Sequence, residues 1–285
     1  MKQSTKQRTK PSYPKLVQGF VGFLTGTGKS LSTIGSYRGD LGLFESFLKE
    51  RKKDFYALSE KDFSTYQIWL EAQGLKTNTR RRKILSAKAL VRYAVSRKKM
   101  PATKIQFVKA PDRLERLPWI PLPADWKKVS SYLSEKTPLG LRNLVAAHLL
   151  VETGMTVAEL CSLRWEQISK GKVNLEGKRP RAIPLSAELT QWLNDWRKLN
   201  KGKHLFPGFN RHGPTSERMS SRGVELFFRS LGKTSGYPSL KPKTLRHLAI
   251  ANWLRENLAE TEIQRRLGVH PNYSLDAYRK HLETC

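Results

Sequence analysis

The residues best suited to chemistry lie in the last fifty of the 285. Lys243-Thr244-Leu245-Arg246-His247 opens an amphipathic stretch, Leu267-Gly268-Val269-His270 breaks the next, and Tyr278 follows ten residues after Gly268. An arginine fork binds two phosphate oxygens at once. A tyrosine hydroxyl attacks phosphorus once cations draw its pKa down from about 10, and the crowded transition state needs the same cations. The departing oxygen needs a proton donor. Together these groups suit the breaking of a phosphodiester through a covalent tyrosyl ester. The six histidines have no metal-binding spacing and no glycine-rich phosphate loop occurs, so neither a metal nor another cofactor is expected.

Charge names the partner. Lys and Arg number 53 against 24 acids, a formal charge of +29, and such an excess points to a polyanion, nucleic acid first. No apolar run reaches the roughly 20 residues of a spanning helix, and the Lys/Arg- and Ser/Thr-rich start has no signal-peptide pattern. A membrane is therefore not expected as partner. Cys161 and Cys285 lie far apart and set up no disulfide framework, which fits a reduced, cytoplasmic setting on the nucleoid.

The elements that must position these groups are mostly helical. Residues 1–15 form a basic arm, and no acid precedes Asp40. Leu16, Phe20, Phe23 and Leu24 make the stripe of a first helix, and Ile34, Tyr37, Leu41, Phe44 and Leu48 that of a second. A third starts after Ser59 and buries Phe63, Tyr66 and Leu70. The fourth places Ile84, Ala87, Val91 and Ala94 on one side. From Glu71 to Asp112 there is no acid but twelve lysines and arginines. A charged face of one sign predicts contact with a DNA backbone, through Arg80, Arg81, Arg82, Lys83, Lys88 and Arg92.

Five prolines between Met100 and Pro123 mark residues 101–123 as a linker. Beyond it come helices near Ala124–Ser134 and Leu139–Glu152, and a short one from Thr156 to Leu163. A hairpin of Lys172–Leu175 and Arg181–Leu185 follows, then helices carrying Trp192 and Trp196, and Phe227 and Phe228. At helical spacing these aromatic stripes read as core. The fold class is mainly α with a small β-sheet (α+β): a helical DNA-binding domain over 16–100 and a second domain over 124–285.

On these residues the chain resembles the tyrosine recombinases of the phage integrase family. The resemblance runs from about Leu16 to His281. Lys243-Thr-Leu-Arg246-His247, Leu267-Gly268 and the Tyr278-Arg-Lys-His ending match its catalytic segments, and Leu31–Leu41 resembles its first DNA-contacting helices. Four helices with a basic last one resemble its core-binding domain. The resemblance implies Tyr278 as nucleophile, Arg246 and Lys243 as phosphate donors, and Lys178 as the hairpin proton donor. It also implies DNA contact by Tyr37 and Arg38, with His247 supporting binding rather than chemistry.

Three positions depart from the family pattern. Thr153-Gly154-Met155-Thr156 carries Thr156 where the family has its first catalytic arginine, and Thr156-x-x-Glu159 reads instead as a helix capping box. Val269 stands where the family has His or Trp, with His270 one residue late. An ungapped comparison places Glu176 at the hairpin lysine, with Lys178, Arg179 and Arg181 close by. Arg142 and Arg164 are candidate substitutes for the missing arginine.

Two readings stay open. One is a tyrosine recombinase or integrase that cleaves and rejoins DNA at a specific site through a 3′-phosphotyrosine. The other is a catalytically inactive relative that binds a specific DNA sequence, as a plasmid replication initiator, a regulator or a recombinase partner. A type IB topoisomerase-like nicking enzyme would use the same site. The expected partner is double-stranded DNA with repeated half-sites. Only seven residues follow Tyr278, too few for a further helix, so a monomer that forms a dimer or tetramer only on DNA is expected.

Overall fold

The computed structural model describes residues 10–101, 110–112, 117 and 119–284. Most of the basic arm and most of the proline-rich segment lie outside the described residues. The chain forms two compact units, Met1–Glu115 and Arg116–Cys285.

The first unit is built of α1 (Tyr13–Gly26), α2 (Leu31–Glu50), α3 (Glu60–Ala72) and α4 (Thr77–Ser96). Local chemistry sets the starts. Ser30 Oγ accepts from the Thr33 amide, and the Asp62 carboxylate accepts from both the amide and the hydroxyl of Ser59, satisfying groups that a helix start leaves open. Phe44, Phe47 and Tyr66 fill the centre, with Tyr66 4.7 and 4.9 Å from the two phenyl rings. One expected core residue is wrong. α1 buries Val21 beside Leu16, Phe20 and Leu24 and leaves Phe23 at 44% exposed. The inward stripe leans by one residue, and Phe23 only flanks the Tyr93 ring.

The second unit packs α5 (Pro123–Ser130), α6 (Pro138–Thr153), α7 (Val157–Ser162), α8 (Ala187–Leu199), α9 (Ser221–Ser235), α10 (Pro242–Arg255), α11 (Glu260–Leu267) and α12 (Asp276–Glu283) around one core. α6 and α10 are its centre: Val145, Leu149 and Leu150 meet Leu245, Leu248 and Ala249, all fully buried. Burying each such leucine contributes roughly 1.5–3 kcal/mol. The predicted hairpin is β2 (Lys172–Leu175) and β3 (Arg181–Pro184), extended by β1 (Ile168–Ser169) into an antiparallel meander that pairs Leu175 with Arg181.

A second hairpin, β4 (Pro207–Asn210) with β5 (Gly213–Arg218), was not expected. Its prolines and glycines hide any alternation, and an irregularity between Pro207 and Phe209 breaks the register. The aromatic stripes are core: Trp196 and Phe228 are fully buried and the Trp196 indole donates to the Leu205 carbonyl at 2.7 Å.

Two glycines end helices at the site. Gly154 closes α6 at φ 57° and Gly268 closes α11 at φ 64°, the left-handed region in which glycine is strain-free. A Cβ on Gly154 would lie 3.0 Å from the Trp253 ring, and one on Gly268 would lie 2.7 Å from Arg181 Nη1. No helix of the described residues is long and apolar enough to cross a membrane.

Candidate active site and nucleic-acid surface

α10 carries Arg246 and His247 in its second turn. Its start is fixed by Pro242 and by Thr244 Oγ1, which accepts from the Lys241 amide at 3.2 Å. Arg246 Nη1 donates to the Gly154 carbonyl, and Nη2 donates to the Leu267 carbonyl at 3.0 Å. One guanidinium thus joins the end of α6 to the end of α11. Burial draws its pKa below the usual arginine value, against the pull of Glu159. Lys243 is exposed, one turn before His247.

Tyr278 lies on α12, and its side chain is turned inward, 2% exposed. Its hydroxyl sits 2.5 Å from His247 Nδ1 and 3.3 Å from the Tyr273 hydroxyl. Gln264 donates to the Tyr273 carbonyl at 3.0 Å and Arg279 pairs with Glu260 at 2.6 Å; both tie this segment back onto α11. Burial, then Tyr273, pushes the Tyr278 phenol up, with Arg246 opposing. Burial, with Lys243 and Arg246 nearby, pushes His247 down to about 4. His247 was expected to support DNA binding; the structure places it on the hydroxyl of Tyr278. The contact spans 31 residues, and no local pattern signals it.

Thr156 caps α7, as its spacing predicts. Its hydroxyl accepts from the Glu159 amide at 3.2 Å, and the Glu159 carboxylate accepts from the Thr156 amide at 2.7 Å. That carboxylate also binds Arg181, with Nη1 at 2.7 Å, while Arg181 Nε donates to the Arg266 carbonyl at 2.7 Å. Arg181 is buried against Gly268, and its Nη2 has no partner among the described residues. The position of the missing arginine is therefore flanked on one side by Gly154, which Arg246 holds, and on the other by Glu159, which Arg181 holds. In the sequence Arg181 stands out only as a neighbour of Lys178 and the first residue of the hairpin's second strand, where it pairs opposite Leu175.

The other candidates are not drawn in. Lys178 and Glu176 lie on the exposed β2–β3 turn, without a hydrogen bond or ion pair to Arg246, His247 or Tyr278. Arg142 donates to Asn143 and to the Pro207 carbonyl, and its guanidinium lies 4.6 Å from the Phe209 ring centre. Arg164 is exposed and its backbone bridges His204. Val269 packs on the core, while His270 is exposed and accepts from the Asn272 amide at 3.2 Å. No group of three His, Cys, Asp or Glu side chains among the described residues is placed to hold a metal.

The basic run of α4 is less open than its sequence implies. Arg80 pairs with Glu71 at 2.5 Å, Arg81 donates to the Pro111 carbonyl at 2.6 Å, and Asp40 collects Arg82 at 2.6 Å, Lys83 at 3.0 Å and Ser86 at 2.9 Å. Lys88, expected off the apolar side, is buried, its long stem following the core. The face of one sign is thus corrected: acids distant in sequence meet it. Arg38 and Arg92 remain exposed. Tyr37 packs edge-on against Phe20 and joins Arg81 and Arg82 along a groove between α2 and α4.

The likeness to known proteins agrees with this fold. Residues 125–283 match the phage integrase family and residues 17–98 match the phage integrase N-terminal SAM-like domain. The chain belongs to the phage integrase family. Among its relatives are the tyrosine recombinase XerC of Xylella fastidiosa, 26% identical over 279 residues (94% of this chain, 92% of the relative), and the tyrosine recombinase XerD of Listeria monocytogenes, 28% identical over 282 residues (94% of each). In fold it is similar to a lambda integrase dimer bound to a COC′ core site, with a TM-score of 0.73 over 93% of this chain and 94% of that one, at 18% identity. It is also similar to the Tn1549 transposon integrase in complex with circular intermediate DNA, with a TM-score of 0.68 over 94% of this chain and 98% of that one, at 16% identity.

Proposed function

We propose that the protein is a site-specific DNA recombinase or integrase that binds duplex DNA at repeated half-sites. It cuts each strand through Tyr278, forming a 3′-phosphotyrosine, and rejoins it to a new partner. The observation that carries this reading is the placement of the Tyr278 hydroxyl beside the α10 turn that bears Arg246 and His247. A nucleophile and a phosphate-binding guanidinium on packed neighbouring helices are what in-line attack requires. Arg246 and Lys243 stabilise the charge on phosphorus, and Lys178 supplies the proton of the departing 5′ oxygen. The reaction conserves bond energy in the tyrosyl ester and needs no cofactor. Arg38, Arg92, Tyr37 and the α4 run Arg80–Lys83 with Lys88 engage the DNA backbone. As in the lambda integrase dimer and tetramer on DNA, copies pair on DNA, here on the nucleoid in the cytoplasm.

The test begins with selection of the cognate duplex from a random library. A nicked suicide substrate carrying that site should then trap the unaltered chain covalently. Tyr278→Phe should trap none and keep its DNA affinity, since only a hydroxyl is lost. A second reading, a sequence-specific binder without cleavage, is favoured by one observation, the Thr156–Glu159 cap in place of the first arginine. Tight binding of the selected site with no adduct from the unaltered chain would establish it.

A further inference from the structure

The resemblance has His or Lys where this chain has Lys243, and His or Trp where it has Val269. An imidazole nevertheless touches the nucleophile. His247 is buried, its Nδ1 is 2.5 Å from the Tyr278 hydroxyl, and the two rings lie 5.6 Å apart, inclined by 30°. His270 is turned away to Asn272. Resting on the cleavage reading above, we propose that His247 is the general base that takes the proton of Tyr278 as its oxygen attacks phosphorus.

A base must stand within hydrogen-bond reach of the proton it removes and must hold a vacant lone pair. Lys243 and Arg246 from its own helix act on His247, and from the chain around α12 it faces the Tyr278 hydroxyl, which lies 3.3 Å from that of Tyr273. Burial and the two cations keep the ring neutral. With Tyr278 donating to Nδ1, the ring proton sits on Nε2, which is buried and unpartnered among the described residues. A docked phosphate offsets the charge of Lys243 and Arg246, so substrate binding itself raises the basicity of the ring.

The step balances as follows. The Tyr278 O–H bond breaks and its proton passes to Nδ1. The tyrosyl oxygen–phosphorus bond forms, the bond from phosphorus to the 5′ oxygen breaks, and that oxygen leaves as a hydroxyl with a proton from Lys178. Rejoining reverses each transfer, and His247 returns the proton to Tyr278.

The experiment measures single-turnover adduct formation by the full chain on the selected suicide substrate. His247→Asn sets an amide oxygen near the place of Nδ1: it accepts the hydrogen bond but holds no proton. DNA affinity and melting temperature should persist, and adduct formation should slow by about 10²–10³-fold at neutral pH. Alkaline buffer should narrow that gap, because hydroxide then does the work of the ring. His247→Gln, also a non-basic acceptor, carries the same test should the asparagine variant not fold. A variant that cleaves at the unaltered rate, or one equally slow at neutral and alkaline pH, overturns the role of His247 and leaves cleavage by Tyr278 standing. No adduct from the unaltered chain overturns both.

Discussion

The cations of the N-terminal groove and those of the C-terminal site are held by different kinds of oxygen. Arg82 and Lys83 close on the carboxylate of Asp40, while Arg246 closes on the backbone carbonyls of Gly154 and Leu267. A carboxylate cancels a charge; a carbonyl only aims it. The groove between α2 and α4 therefore has a fixed shape and a muted field, while the two carbonyls that hold Arg246 leave its charge uncancelled. Arg181, paired with Glu159, is the C-terminal counterpart of the first kind. Counting cations along a chain measures its field only after the acids have been placed in space.

The comparison breaks most sharply at Arg246. Arg246→Ala should lower the rate of adduct formation by about 10²–10³-fold, the usual effect of losing a preorganised donor. Trapping on suicide DNA measures it. Asp40→Asn should act in the opposite sense on binding. It leaves Arg82 and Lys83 without their countercharge, which costs about 2–3 kcal/mol of stability in denaturant unfolding, at the lower end because Arg82 is half exposed. The same variant should steepen the fall of DNA affinity with salt, by about 1–2 in the logarithmic slope, as the released cations meet phosphates. An unchanged slope would mean that the groove lies away from DNA.

Thr156→Arg adds a cation of the uncompensated kind. Adduct formation should rise about tenfold, short of the gain from a fully preorganised donor. Stability should fall by about 1 kcal/mol with the lost cap, read as a lower melting temperature. The last effect is read against pH and belongs to Glu159, the countercharge of the buried Arg181. Burial raises its pKa, but Arg181 and Thr156 more than reverse this and hold it below the usual carboxylate value. A depressed folded-state pKa gives stability that is present above the unfolded value and lost as pH falls through the folded one. Glu159→Gln should therefore lower the melting temperature at neutral and alkaline pH, where Arg181 loses its countercharge, and flatten the acid limb of the profile.

Local signals carried much of this. The stripes Leu16–Leu24, Ile34–Leu48 and Leu245–Trp253 repeat at helical spacing, and each forms its helix. The Thr156–Glu159 cap was legible because both partners lie within one turn. Groups that meet across long stretches of chain were not. Asp40 reaches Arg82 over 42 residues, Arg181 reaches the Arg266 carbonyl over 85, and His247 reaches Tyr278 over 31. Such contacts are decided by how helices pack. Arg80 and Lys88 lie less exposed than their positions in the sequence imply, since a long stem can follow apolar surface wherever its charge ends. The β4–β5 hairpin was lost because Pro207, Gly208 and Pro214 disguise a strand.

Arg246 fastens the fold at the place where the proposed chemistry would use it. The final carbonyls of two helices depend on it, so a change that disarms it also loosens α6 from α11. Thr156 and Val269 carry no such double duty: one caps a short helix and the other packs as a small apolar side chain. A lineage giving up strand cleavage would accordingly shed its chemistry at positions 156 and 269 first and hold Arg246 longest. Survival of that arginine measures what the fold tolerates as much as what the reaction needs, and among descendants of this chain the side chain at 278 is the sounder record of use.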